Sequence, residues 1–93
     1  MQYKYSDGRI TVSREMARKA YCDGKEVYIG CQTMKDGGAY WDTRQFLSSI
    51  KRYWPSAKMN TLREEFIVIS KWFRFMQCPG VKTRYSVQES EVA

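Results

Sequence analysis

Histidine is missing from the chain altogether. Its absence removes the side chain most often used as a general base and the commonest zinc ligand together. Cysteine is scarce: Cys22, Cys31 and Cys78 are an odd number at irregular spacing, so they outline no disulfide framework and point to a reducing compartment. Three thiols so far apart also leave a metal site one ligand short, and no metal is expected. There is no glycine-rich phosphate loop, since Asp36-Gly37-Gly38 lacks both the G-x-x-x-x-G-K-[ST] and the G-x-G-x-x-G frame. Nor is there an apolar run near the roughly eighteen residues of a membrane span. The opening M-Q-Y-K-Y-S-D-G is polar and does not resemble a secretory signal.

What remains for catalysis is thin. Glu64 and Glu65 are adjacent, and neighbours on a helix project about 100° apart, so the pair cannot act on one substrate atom. Cys22 falls at the C-terminal end of a predicted helix, the wrong end to lower a thiol pKa. Cys31 lies on the apolar side of a predicted strand, the ordinary place for a small buried hydrophobe. Cys78 sits in a turn beside Pro79 with no base to serve it. The expectation is a protein without enzymatic activity and without a cofactor.

Large apolar groups, by contrast, are plentiful. Hydrophobic residues make up 43% of the 93 and aromatic residues 15%, more than a disordered chain carries. A chain of this length closes one core, so residues 1–88 are read as a single domain and 89–93 as a frayed tail. Sixteen basic residues stand against ten acidic ones, for a net charge of +6. With Glu89 and Glu91 set aside in the tail, sixteen face eight and the domain carries +8. A charge of that sign attracts polyanions and acidic protein surfaces. It also keeps an aromatic-rich chain soluble, and the basic residues are spread rather than clustered, so both readings stand.

Along the chain, Ile10-Thr11-Val12 suits a short strand, and Ser13 caps a helix over R-E-M-A-R-K-A-Y-C-D-G with Gly24 as its left-handed close. Met16, Ala17, Ala20 and Tyr21 share one face of that helix. K-E-V-Y-I-G-C-Q-T is a strand with Val27, Ile29 and Cys31 on one side and Tyr28 on the other. M-K-D-G-G-A-Y-W reads as a loop. Asp42 and Gln45 form a capping-box-like start to a second helix carrying Phe46, Leu47, Ile50, Tyr53 and Trp54, which Pro55 ends. V-K-T-R-Y-S-V, after a turn at Cys78-Pro79-Gly80, alternates as a strand.

The segment E-E-F-I-V-I-S-K-W-F-R-F-M-Q-C-P-G, from Glu64 to Gly80, decides the architecture. As a strand both of its faces would mix apolar and charged residues. As a helix, Leu62, Phe66, Ile69, Phe73 and Met76 align, flanked by Val68, Trp72 and Phe75, with Arg63, Glu64, Ser70, Lys71 and Arg74 opposite. Thr61 and Glu64 supply a capping box. The β-branched run Ile67-Val68-Ile69 costs a few tenths of a kcal/mol per residue, against roughly 1.5–3 kcal/mol for each large side chain buried. The spacing therefore predicts a helix, and the whole an α+β domain of three helices packed on a small antiparallel sheet of about three strands.

Binding residues are then sought among the cations left on helix faces: Arg14 and Arg18, Arg44, Lys51 and Arg52, Lys71 and Arg74. Each has the alternative role of a solvated polar face. Among the aromatics, Trp41 is the leading surface anchor, since Trp, Tyr and Arg concentrate binding energy. The more ordinary arrangement leaves Tyr40 and Trp41 exposed and puts Tyr53 and Trp54 in the core. No RNP, zinc-knuckle or helix-turn-helix signature is present.

I-T-V-S-R-E-M-A-R-K-A-Y-C-D-G-K-E-V-Y-I at 10–29, with F-R-F-M-Q-C and G-V-K-T-R-Y-S-V within 73–87, resembles the openings and endings of short reading frames of bacteriophages and mobile elements. The middle of the chain, from Trp41 to Asn60, departs from that pattern. The resemblance implies an accessory protein acting in the cytoplasm of a bacterial host. Such proteins, anti-CRISPR proteins among them, commonly inhibit a host defence or nucleic-acid-processing complex by occupying the surface it uses for nucleic acid. The expected partner is thus a host protein or ribonucleoprotein complex. Direct DNA or RNA binding, or a basic aromatic pocket that sequesters a small anionic nucleotide, are the alternatives, and a homodimer is left open.

Overall fold

A computed structural model of the chain describes residues 4–31, 40–76 and 82–92. The order is β1 (Arg9–Val12), α1 (Arg14–Cys22), β2 (Val27–Cys31), β3 (Tyr40–Asp42), α2 (Thr43–Tyr53), α3 (Leu62–Met76), β4 (Thr83–Gln88) and a short α4 (Glu89–Val92). The strands form one sheet in the order β1-β4-β2-β3, every neighbouring pair antiparallel. The last strand is thus inserted between the first two. The loop expected at 36–38 and the turn at 78–80 lie outside the described residues. Among those that are described, no helix is long and apolar enough to cross a membrane.

The helix ends follow the local chemistry of the sequence. The Ser13 hydroxyl accepts from the Met16 amide at 3.2 Å, capping α1. At the other end Gly24 takes φ +84°, its amide bonds the Tyr21 carbonyl, and the Lys25 amide bonds that of Ala20. This is a Schellman close, which needs a residue at ease with positive φ. Asp42 Oδ1 accepts from the amides of Arg44 and Gln45 at 2.8 and 3.4 Å. The Thr61 hydroxyl accepts from the Glu64 amide and donates to the Glu64 carboxylate, both at 3.1 Å.

The sheet has two unlike faces. Register places Ile10 and Val12 of β1, Val27 and Ile29 of β2, and Tyr85 and Val87 of β4 on one face. There they meet Ala17, Ala20, Tyr21, Leu47, Ile50, Phe66, Ile69 and Phe73 from the helices in one core. The Phe66 ring lies 5.8 Å from that of Tyr21 and 5.5 Å from that of Tyr85. Alternate residues turn Arg9, Thr11, Tyr28 and Ser86 to the opposite face, which no long helix covers.

The sheet has four strands where about three were expected, because Tyr40–Asp42 pairs with β2 instead of forming a loop. Three residues are too few to show alternation, and Asp42 is at once the last strand residue and the α2 cap. The tail is not wholly frayed: α4 is anchored by Glu89 N donating to Gly8 O, by the Lys4–Glu89 ion pair at 3.0 Å, and by Lys25 Nζ donating to the Glu91 carbonyl. Ser70, assigned to the polar side of α3, is buried, since its hydroxyl accepts from the Tyr85 phenol at 2.9 Å. Leu62 and Met76, assigned to the inner face, are exposed, as are Met16 and Phe75. Leu62 and Met76 are the first and last residues of α3 and Phe75 the last but one, so these side chains lie beyond the buried stretch from Phe66 to Phe73.

The helical burial of α3 makes a direct prediction. Ile69 is fully buried and Ile67 only partly so. Urea unfolding should show Ile69→Ala losing about 2–5 kcal/mol and Ile67→Ala roughly 1 kcal/mol or less. On a strand these two side chains would share a face, so equal losses would contradict the helix.

Candidate binding surface

The helix-free face of the sheet is closed from within. Arg9 is 1% exposed although it carries a charge. Its guanidinium carbon sits 3.4 Å from the centre of the Tyr40 ring, 4.2 Å from that of Tyr5 and 5.2 Å from that of Tyr28. Nε donates to Asp7 Oδ2 at 2.8 Å and Nη1 to the Ser86 hydroxyl. The Tyr40 phenol donates to the same Asp7 oxygen at 3.2 Å. One nitrogen, Nη2, is buried without a hydrogen-bond partner among the described residues. Ring faces and a carboxylate thus replace the water that the cation gives up. The Arg9 side chain and its hydrogen bonds hold the Asp7 carboxyl below its ordinary range, outweighing the opposing effect of desolvation.

This arrangement consumes the tyrosines of that face. Tyr28 points away from Val27 and Ile29, as the alternation of β2 predicts, but no pattern along the chain signals that Tyr5 and Tyr40 join it around a buried arginine. The only local signal is Asp7-x-Arg9, a carboxylate two residues ahead of a strand arginine.

The helical layer is the opposite case. Arg44 is drawn inward: its guanidinium donates to the carbonyls of Lys25 and Tyr21 at 2.9 and 3.0 Å and lies 4.4 Å from the Tyr21 ring centre. It ties the start of α2 to the end of α1, and two of its five N–H donors are spent there. Lys51 and Arg52 on α2 and Lys71 and Arg74 on α3 are exposed. Arg14 is exposed and Arg18 half-buried on α1, where they line a cleft with Arg63, a residue not singled out from the sequence.

Most acidic side chains of the described residues are already engaged. Asp7 holds Arg9, Asp42 caps α2, Glu64 meets Thr61, Glu89 meets Lys4, and Glu65 accepts from the buried Tyr21 phenol at 2.7 Å. Burial, followed by that bond to Glu65, pushes the Tyr21 phenol well above its usual range. Lys4–Glu89 and Arg9–Asp7 are the ion pairs found among the described residues. The exposed cations of α1, α2 and α3 therefore have no carboxylate partner there.

The same helices and strand β3 also expose aromatic groups. Trp41, 47% exposed, packs its ring 5.5 Å from that of Phe73. Trp54, at the end of α2, is 6.3 Å from Trp72 of α3. Tyr53 and Phe75 are 82% and 88% exposed. The helical spacing places Tyr53 and Trp54 in the core, and both are exposed instead, because they close the end of α2 beyond the buried Ile50. On α3, Phe75 and Met76 follow Trp72 by three and four residues and so continue its side of the helix. Cys22 is an exposed free thiol, Cys78 lies outside the described residues, and no group of three or more metal-ligating side chains occurs among those described.

The arginine lock can be tested by stability. Arg9→Ala should lower the unfolding free energy by about 2–4 kcal/mol, from lost ring contacts and the space left behind. Asp7 has its folded pKa depressed, so its contribution is present above the unfolded value near 3.8 and is lost as pH falls through the lower folded value. The stability gap between the wild type and Asp7→Asn, measured by denaturant titration, should therefore be open at pH 7 and narrow as the pH falls below 3.8. A gap independent of pH would contradict the pairing.

No protein-family model, curated protein or solved structure matches this chain.

Proposed function

We propose that the chain is a non-enzymatic binding protein, an accessory factor of the phage or mobile-element kind, that inhibits a host defence or nucleic-acid-processing complex by docking its helical layer on it. The observation that carries this is the helical layer and the adjoining strand β3, which expose Trp41, Trp54 and Phe75 as well as Lys51, Arg52, Lys71 and Arg74, these cations without carboxylate partners among the described residues. Exposed rings beside cations are the residue types that concentrate binding energy at interfaces.

The charge narrows the mode of inhibition. A chain of net +6 does not imitate nucleic acid in a basic groove, because like charges across an interface repel. It suits an acidic protein surface of the complex, or the phosphates of a bound RNA, and it blocks by covering them. Steering by opposite charge would also speed association and make it sensitive to salt.

The combined variant Lys51→Glu, Arg52→Glu, Lys71→Glu, Arg74→Glu alters only exposed positions. In a bacterial interference assay, the wild type should protect plasmid or phage DNA from a CRISPR or restriction nuclease. The variant, checked for folding by circular dichroism, should lose at least about tenfold of that protection. No protection against any nuclease system, or protection unchanged in the variant, would overturn the proposal.

A further inference from the structure

A cleft of about 330 Å³ lies between α1 and α3, lined by Arg14, Glu15, Arg18, Arg63, Phe66 and Ile67. Arg14 and Arg18 are four residues apart and so project from the same side of α1. Arg63 faces them from the first turn of α3. None of the three forms an ion pair among the described residues, and Glu15, though it lines the same cleft, lies beyond salt-bridge reach of them. Like charges so placed repel one another across an i,i+4 step and across the cleft. Helix packing alone gives no reason to collect three guanidinium groups there, since the apolar contact is made by Phe66 against Tyr21.

The charge and shape specify a ligand class. Three guanidinium groups against one carboxylate leave the cleft with about +2, matching the −1.5 to −2 of a phosphate monoester at neutral pH. Guanidinium forks offer paired N–H donors that fit phosphate oxygens. Ile67 and the edge of Phe66 provide an apolar wall beside the charged one. The volume is at the lower end of small-molecule sites, enough for a phosphate with one small ring system.

We infer that the Arg14–Arg18–Arg63 cleft is a binding site for a phosphate monoester whose organic group also carries a flat ring, such as a mononucleotide or the 5′-phosphorylated end of a nucleic acid strand. The cleft lies between α1 and α3, and the inference rests on Arg14, Arg18 and Arg63, none of which is among the docking residues proposed above.

The test is a thermal-shift and calorimetric titration of the full chain with four probes: inorganic phosphate, adenosine monophosphate, and a short oligonucleotide carrying either a 5′-phosphate or a 5′-hydroxyl. Binding must raise the melting temperature by mass action. The expected result is saturable binding of the mononucleotide, of the 5′-phosphorylated oligonucleotide, or of both. The arm that responds identifies the source, and the hydroxyl-ended strand should bind at least about tenfold more weakly than its phosphorylated counterpart. Arg63→Gln and Arg18→Gln should each weaken the response at least about tenfold, and Arg18→Lys, which keeps charge but loses the fork, by less. Lys19→Gln, an exposed cation of α1 outside the cleft, should leave it unchanged. No response to any phosphate monoester at millimolar concentration would overturn the inference. So would equal affinity for the phosphorylated and hydroxyl-ended strands, which is the behaviour of diffuse attraction to the backbone.

Discussion

The guanidinium of Arg9 crosses the helix-free face of the sheet, held by Asp7, Ser86 and the rings of Tyr5, Tyr28 and Tyr40. The long helices of so short a chain cover one side of a four-stranded sheet, and the other side still needs a lid. Here that lid is a cation under aromatic rings, joined to both edges: Arg9 belongs to edge strand β1, Tyr40 to edge strand β3, and Ser86 to the strand between β1 and β2. The side chain therefore spans the sheet crosswise, tying strands that the backbone ladder connects only in series. Burying a charge in this way is tolerable because each donor but one meets oxygen or lies against a ring face.

That lid divides the labour of the surface. Tyrosines and an arginine, residue types suited to meeting a nucleic acid strand on an open sheet, are spent on closing it. Many of the remaining cations lie on helices, and most carboxylates of the described residues that could neutralise them are engaged as helix caps, as acceptors of a phenol and in two ion pairs. The charge excess of the composition thus becomes a local property of the helical layer. It is there that a contact surface with exposed aromatic groups and an arginine-lined cleft are found, and there that an acidic or phosphorylated partner would be drawn.

Much of the fold was legible because its signals are local. Ser13, Gly24, Asp42 and the Thr61–Glu64 pair each fix a helix end through a bond to nearby backbone, and the Phe66-Ile69-Phe73 spacing fixes which side of α3 turns inward. What was not legible depended on distant partners. β3 is a strand only because β2 lies beside it, and three residues cannot declare that alone. Ser70 is interior because Tyr85, fifteen positions on, reaches it. Of the residues expected at the surface, Trp41, Lys51, Arg52, Lys71 and Arg74 are exposed, and Arg14 and Arg18 are brought together with Arg63. Arg44 is the exception, turned to the end of α1 by carbonyls that lie far off in sequence.

The division between a locked arginine and free ones is open to a single measurement. Nitrogen-15 NMR resolves arginine Nε–H groups and reports both their exchange with solvent and the ring currents around them. The account predicts one strongly protected resonance, that of Arg9, displaced by the tyrosine rings, with Arg14, Arg52, Arg63 and Arg74 exchanging rapidly. An Arg9 resonance exchanging as fast as those four would contradict it, leaving the helix-free face unlocked and the tyrosines available to a partner.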